Sequence, residues 1–180
     1  MAARSAARSN YRAFRSIPEA PRLLAGAFLT RVPLATTTLA MLLFLRAQTH
    51  SFATGGAVVG AYALALAVAA PLQGVAVDRY GQTWILAFCA AGQAVAIPSF
   101  VLVALNGASP RALALLAGVG GALVPPTTPC VRALWRELAG DEQSLHAAYA
   151  VDAVTFELAW AIAPLLVAGV STAAAEATAG

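Results

Sequence analysis

The sequence contains no lysine, and only 11% of its 180 residues carry a charge. A chain with so little charge lacks the polar surface of a soluble domain, and its 60% of hydrophobic residues exceeds the roughly 45 to 50% usual for soluble proteins. The net charge of +3 comes from arginines that are spread over many segments and form no basic stripe of the kind that binds nucleic acid. The composition therefore predicts a membrane protein with no nucleic-acid partner.

Residues that carry chemistry are also scarce. Cys89 and Cys130 both lie within apolar runs and have no CxxC spacing, which predicts two buried small residues and neither a disulfide nor a metal site. The sequence has no phosphate-binding glycine loop and no order of Ser, His and Asp typical of hydrolases. We therefore expect no enzymatic activity, no cofactor and no metal.

What the sequence does contain is a series of five apolar runs, each near the roughly 20 residues that a helix needs to cross the hydrocarbon core. None of them alternates with the period of two that is typical of membrane strands. The sequence therefore predicts an all-α, polytopic integral membrane protein with five transmembrane helices. The runs cover residues 23–45, 56–77, 84–105, 112–131 and 147–170.

These runs divide the chain into three parts. Residues 1–22 contain five arginines and one glutamate, and they form either a helix lying on anionic headgroups or a disordered basic tail. Residues 23–170 form the five-helix transmembrane bundle. Residues 171–180 are mostly small, and we expect a flexible, poorly ordered tail there.

The arginines also predict the orientation. Successive segments between the spans lie on alternating sides of the membrane. Eight arginines then lie on the side of the N-terminus and two on the other side, while Arg31 lies within the first span. By the positive-inside rule, the N-terminus lies in the cytoplasm and the C-terminus outside the plasma membrane. Abundant alanine and arginine without lysine is typical of a GC-rich bacterial genome.

Three ionisable residues lie within the predicted spans: Arg31, Asp152 and Glu157. Such a residue costs roughly 2.5 to 3.5 kcal/mol on insertion scales, so each is a functional candidate. Counted from the predicted starts of their spans, Arg31 and Glu157 have similar depths, whereas Asp152 is shallower and on another face. We therefore expect Arg31 to pair with Glu157. The pair either borders a central cavity, where protonation of the acid couples to substrate movement, or is a static salt bridge between two helices.

The polar break between the second and third spans reads Gly74-Val-Ala-Val-Asp78-Arg79-Tyr80-Gly81. Gly74 and Asp78 are four residues apart and share a helix face, where a glycine lets a neighbouring helix approach closely. A carboxylate at a helix C-terminus is opposed by the helix dipole, so Asp78 needs a partner, either Arg79 or the N-terminus of another helix. The alternative is that these residues form a solvated turn.

This break resembles the signature loop of the major facilitator superfamily, a large class of secondary transporters. The resemblance lies in its place between the second and third spans and in four residues, Gly74, Asp78, Arg79 and Gly81. The resemblance implies a latch that closes the cytoplasmic side during transport. It also implies that the latch has its partner in the second half of the transporter.

Two further motifs carry the same resemblance. Gly118 begins a glycine-rich stretch before Pro125 and Pro126 that is similar to the middle of the family's fourth helix. Ala163 and Pro164 are similar to the fifth-helix motif of drug and proton antiporters, with alanine in place of glycine. Small residues at these places imply close packing of helices.

The family is built from twelve helices in two six-helix halves, and five helices here resemble the first five. The resemblance implies an efflux or uptake permease for a small solute, with protons as the coupling ion. Its partners are then the lipid bilayer, the small-molecule substrate and the missing C-terminal half, without which we expect this fragment to be inactive. The alternative is a five-helix scaffold or accessory protein that does not transport.

Overall fold

The computed structural model describes residues 17 and 19–179, with only the backbone for residues 173–179. The basic segment predicted at 1–22 lies largely outside these residues. The described part contains no strand, and it has five helical stretches long and apolar enough to cross a membrane, which confirms the all-α polytopic fold. Its helices are α1 (Ala20–Thr49), α2 (Phe52–Tyr80), α3 (Gln82–Leu105), α4 (Pro110–Ala122), α5 (Thr127–Leu138) and α6 (Glu142–Ala179).

Polar caps outside the apolar runs set the starts of three helices. The Ser51 hydroxyl accepts a hydrogen bond from the Thr54 N–H at 3.2 Å, and Ser109 precedes Pro110 at the start of α4. Asp141 Oδ1 accepts from the Ser144 N–H at 2.7 Å, so α6 begins at Glu142, earlier than the predicted start of the fifth span at residue 147. Each helix therefore includes residues beyond its apolar run.

The fourth span is interrupted, whereas the sequence predicted one run over 112–131. α4 ends at Ala122 and α5 begins at Thr127, and together they form the candidate span Pro110–Leu138. The cause is Pro125 followed by Pro126, because neither residue has an N–H to continue the helical hydrogen bonds.

By its internal contacts the chain divides into two compact units, which we describe separately. Unit 1 comprises Met1–Thr36 and Thr127–Gly180, and unit 2 comprises Thr37–Pro126.

In unit 1 the apolar face of α5 packs into a cluster with the first part of α1 and the start of α6. Trp135 is fully buried in this cluster, together with Ala20, Val131 and Ala148. The exposed Arg132 and Arg136 occupy the polar face of α5, so the indole of Trp135 is turned inward.

In unit 2, α2 packs against both α3 and α4. Tyr62 and Val58 on α2 are almost completely buried, as are Leu113 and Ala117 on α4. The closest approach is at Gly121, where an added Cβ would overlap the Tyr62 carbonyl oxygen. α2 and α4 therefore touch through their backbones at this glycine.

Many large apolar side chains lie on the outside of the helices. Leu64 and Leu72 on α2, Phe88 on α3 and Leu115 on α4 are each about two-thirds exposed or more, at 67%, 67%, 68% and 74%. A soluble protein would bury such side chains, whereas the hydrocarbon core of a bilayer solvates them. The outer surface is therefore suited to lipid.

Candidate functional site

A buried ion pair joins α1 to α6 inside unit 1. Arg31 Nη2 lies 2.9 Å from Asp152 Oδ1 and donates a hydrogen bond to Asp152 Oδ2 at 3.0 Å. Both side chains are almost fully buried, with exposed fractions of 1% for Arg31 and 5% for Asp152. A charge in such a place is stable only when it is paired and hydrogen-bonded, and here each charge has its opposite within contact distance.

The other terminal nitrogen of the guanidinium is also hydrogen-bonded. Arg31 Nη1 donates to the Asp152 backbone carbonyl at 3.2 Å and to the Thr155 hydroxyl at 3.1 Å. The Phe156 ring lies 5.4 Å from the guanidinium carbon, within the range of a cation–π contact. Contacts from little more than one turn of α6 therefore fix one arginine of α1.

The expected pairing of Arg31 with Glu157 is wrong, and the start of α6 explains why. Arg31 lies eleven residues after Ala20 and Asp152 lies ten residues after Glu142, the first residues of their helices. Glu157 lies fifteen residues after that start, about one and a half turns deeper. The true helix starts therefore match Arg31 with Asp152 in depth.

Glu157 is exposed on α6, and it forms no ion pair or hydrogen bond with any residue that the structure describes. The two acids of the fifth span thus have separate environments. Asp152 is neutralised by Arg31, whereas Glu157 presents a carboxylate on the helix surface within the candidate span Glu142–Thr172.

The turn between α2 and α3 holds the loop residues. Asp78 and Arg79 are both exposed in the last turn of α2, and the Arg79 guanidinium lies 5.5 Å from the centre of the Tyr80 ring. Asp78 forms no ion pair within residues 17 and 19–179. The pairing of Asp78 with Arg79 that the sequence offered as one option is therefore absent from this part of the chain.

The two glycines of the loop have different surroundings. Gly81 ends α2 with a φ of 85°, in the region that favours glycine, and its N–H donates to the Val77 carbonyl at 2.9 Å. Gly74 is exposed, and an added Cβ would meet no atom within 4 Å. No described helix of this chain therefore uses the open face at Gly74.

The residues predicted to pack helices closely, Gly118, Ala163 and Pro164, also have different surroundings. An added Cβ on Gly118 would lie 3.9 Å from the Ala65 Cβ, which is ordinary contact, so the close approach is at Gly121 instead. Ala163 is buried, and Pro164 follows it inside α6 without ending the helix.

Sequence reasoning missed one polar residue, Gln73, which lies directly before Gly74. It is largely buried, and its Nε2 donates to the carbonyls of Ala122 at 2.8 Å and Val124 at 3.0 Å. A buried amide in an apolar span is costly unless it is paired. The signal available in the sequence was the combination of a lone glutamine in the second span and two prolines in the fourth.

Neither a metal site nor a reactive thiol is apparent in the part of the chain that the structure describes. No group of three or more His, Cys, Asp or Glu residues there could hold a metal ion. Cys89 and Cys130 are both free and buried.

The fold and these residues define a class: a polytopic helical membrane protein with a buried ion pair between spans and an exposed Asp-Arg turn between the second and third spans. Residues 23–175 match the family model of the Major Facilitator Superfamily, and the chain belongs to that family. No curated protein and no solved structure matches it. The chain therefore has the general role of its family, membrane transport, and family membership does not favour the scaffold alternative.

Proposed function

We propose that this chain forms the first helices of a secondary transporter that moves a small solute across the plasma membrane with coupling to protons. Family membership supports the transport of a solute, and the outer apolar surface supports its place in a bilayer. The bias of eight arginines against two supports a cytoplasmic N-terminus and an external C-terminus.

Glu157 is the proposed coupling residue. Its carboxylate lies within a membrane span and has no partner among the described residues, so its protonation breaks no contact seen in the structure. Asp152 is a poor candidate, because protonation would leave Arg31 buried with its charge uncompensated. This contrast between the two acids is the observation on which the coupling role depends.

The turn at 74–81 is the proposed cytoplasmic latch. Asp78 and Arg79 are exposed, and Gly74 leaves a helix face open to a close neighbour. In this family the transporter has two six-helix halves, so helices of the second half are the proposed partner for Asp78 and for the open face at Gly74. On this proposal the five spans are inactive without those helices.

The test uses membrane vesicles that contain the complete gene product and enclose a pH-sensitive dye. A panel of chemically different small solutes is added, and solute-dependent proton flux is recorded over a range of pH. We expect Glu157→Gln to abolish the proton dependence of transport. Glu137→Gln, a matched change at an exposed acid outside the apolar run, is expected to leave it intact.

Two results would overturn the proposal. If Glu157→Gln transports with the proton dependence of the unchanged protein, Glu157 does not couple transport to protons. If Asp78→Asn transports as fast as the unchanged protein, the turn at 74–81 is not a latch.

A further inference from the structure

The break in the fourth span leaves two backbone carbonyls without their helical donors. In a continuous helix, the carbonyls of Gly121 and Ala122 would accept from the N–H groups four residues later, at positions 125 and 126. Both of those residues are prolines and have no N–H. A carbonyl left unpaired in the interior of a membrane protein is strongly unfavourable, so each needs another donor.

The structure supplies a donor for each carbonyl. The Val124 N–H donates to the Gly121 carbonyl at 3.3 Å, which closes the last turn of α4. The Ala122 carbonyl accepts from the Gln73 side chain at 2.8 Å, and the same nitrogen also donates to the Val124 carbonyl at 3.0 Å. Gln73 therefore replaces the donor that Pro126 removes.

We propose that Gln73 is a positioning residue that fixes the break in the fourth span and ties the end of α4 to the helix that carries the 74–81 loop. One amide nitrogen bonds two carbonyls on either side of Leu123, so the break cannot change its shape without losing a bond to α2. Conversely, α2 cannot slide along its axis while the break stays as it is.

Cys89 provides a native reporter for this contact. Its Sγ lies 3.6 Å from Gln73 Nε2, and the thiol is buried. A Cys130→Ser background leaves Cys89 as the one cysteine of the sequence, so a membrane-permeant maleimide reports its exposure alone. We expect Gln73→Leu in the full chain, in membranes, to raise the labelling rate about fivefold or more, because the open population grows when a buried carbonyl loses its donor.

A rescue variant separates the proposed role from a general loss of packing. Pro126→Ala restores an N–H four residues after Ala122, so Gln73→Leu with Pro126→Ala should label close to the rate of the parent. Gln73→Glu should label faster than the parent at a pH where its carboxylate is ionised, and the ratio of the two rates at equal pH should fall as the pH is lowered, because only the protonated acid can donate. Gln93→Leu, a matched change one turn from Cys89 on α3, removes only a hydrogen bond of 3.5 Å to the Tyr62 hydroxyl and should raise the rate less than Gln73→Leu.

Three results would overturn the inference: Gln73→Leu labels at the parent rate, Pro126→Ala fails to slow its labelling, or Gln93→Leu raises the rate equally. Gln73→Leu could fail to accumulate in membranes, and the double variant with Pro126→Ala then decides. Recovery of the protein by Pro126→Ala supports the inference. If Gln93→Leu accumulates but the double variant does not, the inference is contradicted. The labelling needs no solute and no proton gradient, so its failure is distinguishable from a failure of the proposed coupling at Glu157.

Discussion

Arg31 and Asp152 meet in a buried salt bridge of 2.9 Å, although 121 residues of sequence separate them. The pair joins the first half of α1 to α6 within unit 1 and brings two charges into the interior of the protein. Because Asp152 also offers its backbone carbonyl, one residue of α6 provides three of the oxygens around the guanidinium. This pair is the buried polar contact between α1 and α6, in addition to the apolar cluster around Trp135.

Removal of one member of this pair should destabilise the protein strongly. Arg31→Met leaves the Asp152 carboxylate buried without a counterion, and we expect the free energy of unfolding to fall by about 3 to 5 kcal/mol. Thermal unfolding in detergent can be followed with a maleimide dye that reacts with Cys89 and Cys130 when they become exposed. Glu157→Gln, on the helix surface, should change the free energy by no more than about 0.5 kcal/mol.

The double variant Arg31→Met with Asp152→Leu provides the control for this prediction. Replacing both charges with apolar groups removes the unpaired charge, so it should recover much of the lost stability. A double variant less stable than Arg31→Met alone would contradict the view that the unpaired carboxylate causes the loss.

A side chain at Gly121 should push α2 and α4 apart. The new Cβ of Gly121→Ala overlaps the Tyr62 carbonyl oxygen, which belongs to the backbone and cannot rotate away. We expect a loss of about 1 to 3 kcal/mol in the free energy of unfolding. Gly118→Ala is the matched control: its Cβ meets the Ala65 Cβ at 3.9 Å, and alanine favours the helix, so stability should stay equal or rise by up to about 1 kcal/mol. Equal losses in both variants would contradict the close approach at Gly121.

The two glycines of the 74–81 loop should also differ on substitution. Gly81→Ala places a side chain at a φ of 85°, a strain of about 1 to 3 kcal/mol, which the same unfolding assay would detect. Gly74→Ala lies in open space within a helix and should stabilise the isolated chain by up to about 1 kcal/mol. If Gly74 meets another helix during gating, Gly74→Ala should slow transport without loss of stability. Unchanged transport would argue against that contact.

The cap of α6 should make stability depend on pH. The Ser144 backbone N–H donates to the Asp141 carboxylate and lowers the pKa of Asp141 in the folded protein. A carboxyl whose pKa is lowered by folding contributes stability above its unfolded pKa, and that contribution is lost as the pH falls. Asp141→Ala should therefore lower the melting temperature at pH 7, and the difference from the unchanged protein should shrink below about pH 4.

Asp141→Asn separates the cap from its charge. Asparagine is also a good N-cap, so this variant should lose less stability than Asp141→Ala and should not show the loss at low pH that belongs to the carboxylate. A difference between Asp141→Ala and the unchanged protein that grows as the pH falls would contradict the prediction.

The apolar runs were enough to predict the number and type of the spans, because the hydrocarbon core imposes length and hydropathy on each span separately. Contacts between spans were harder to predict. The error in pairing Arg31 arose at Asp141, whose cap moves the start of α6 to Glu142 and shifts every depth along that helix. Hydropathy alone does not detect a polar first turn as part of a helix.

The break in the fourth span, and the side chain that donates hydrogen bonds to it, were missed for a related reason. Pro125 and Pro126 signal a loss of hydrogen bonds, but the sequence does not reveal which distant side chain replaces them. Gln73 does so from a helix 49 residues away along the chain.

The distance along the chain between Arg31 and Asp152 has a consequence for biosynthesis. The first span emerges from the ribosome with its arginine before Asp152 exists, and 121 more residues must follow. At about 5 to 20 residues per second, Arg31 waits roughly 6 to 24 seconds for Asp152. During that interval an unpaired Arg31 adds roughly 2.5 to 3.5 kcal/mol to the cost of placing its span in lipid, so synthesis of the fifth span should favour release of the first helix into the bilayer.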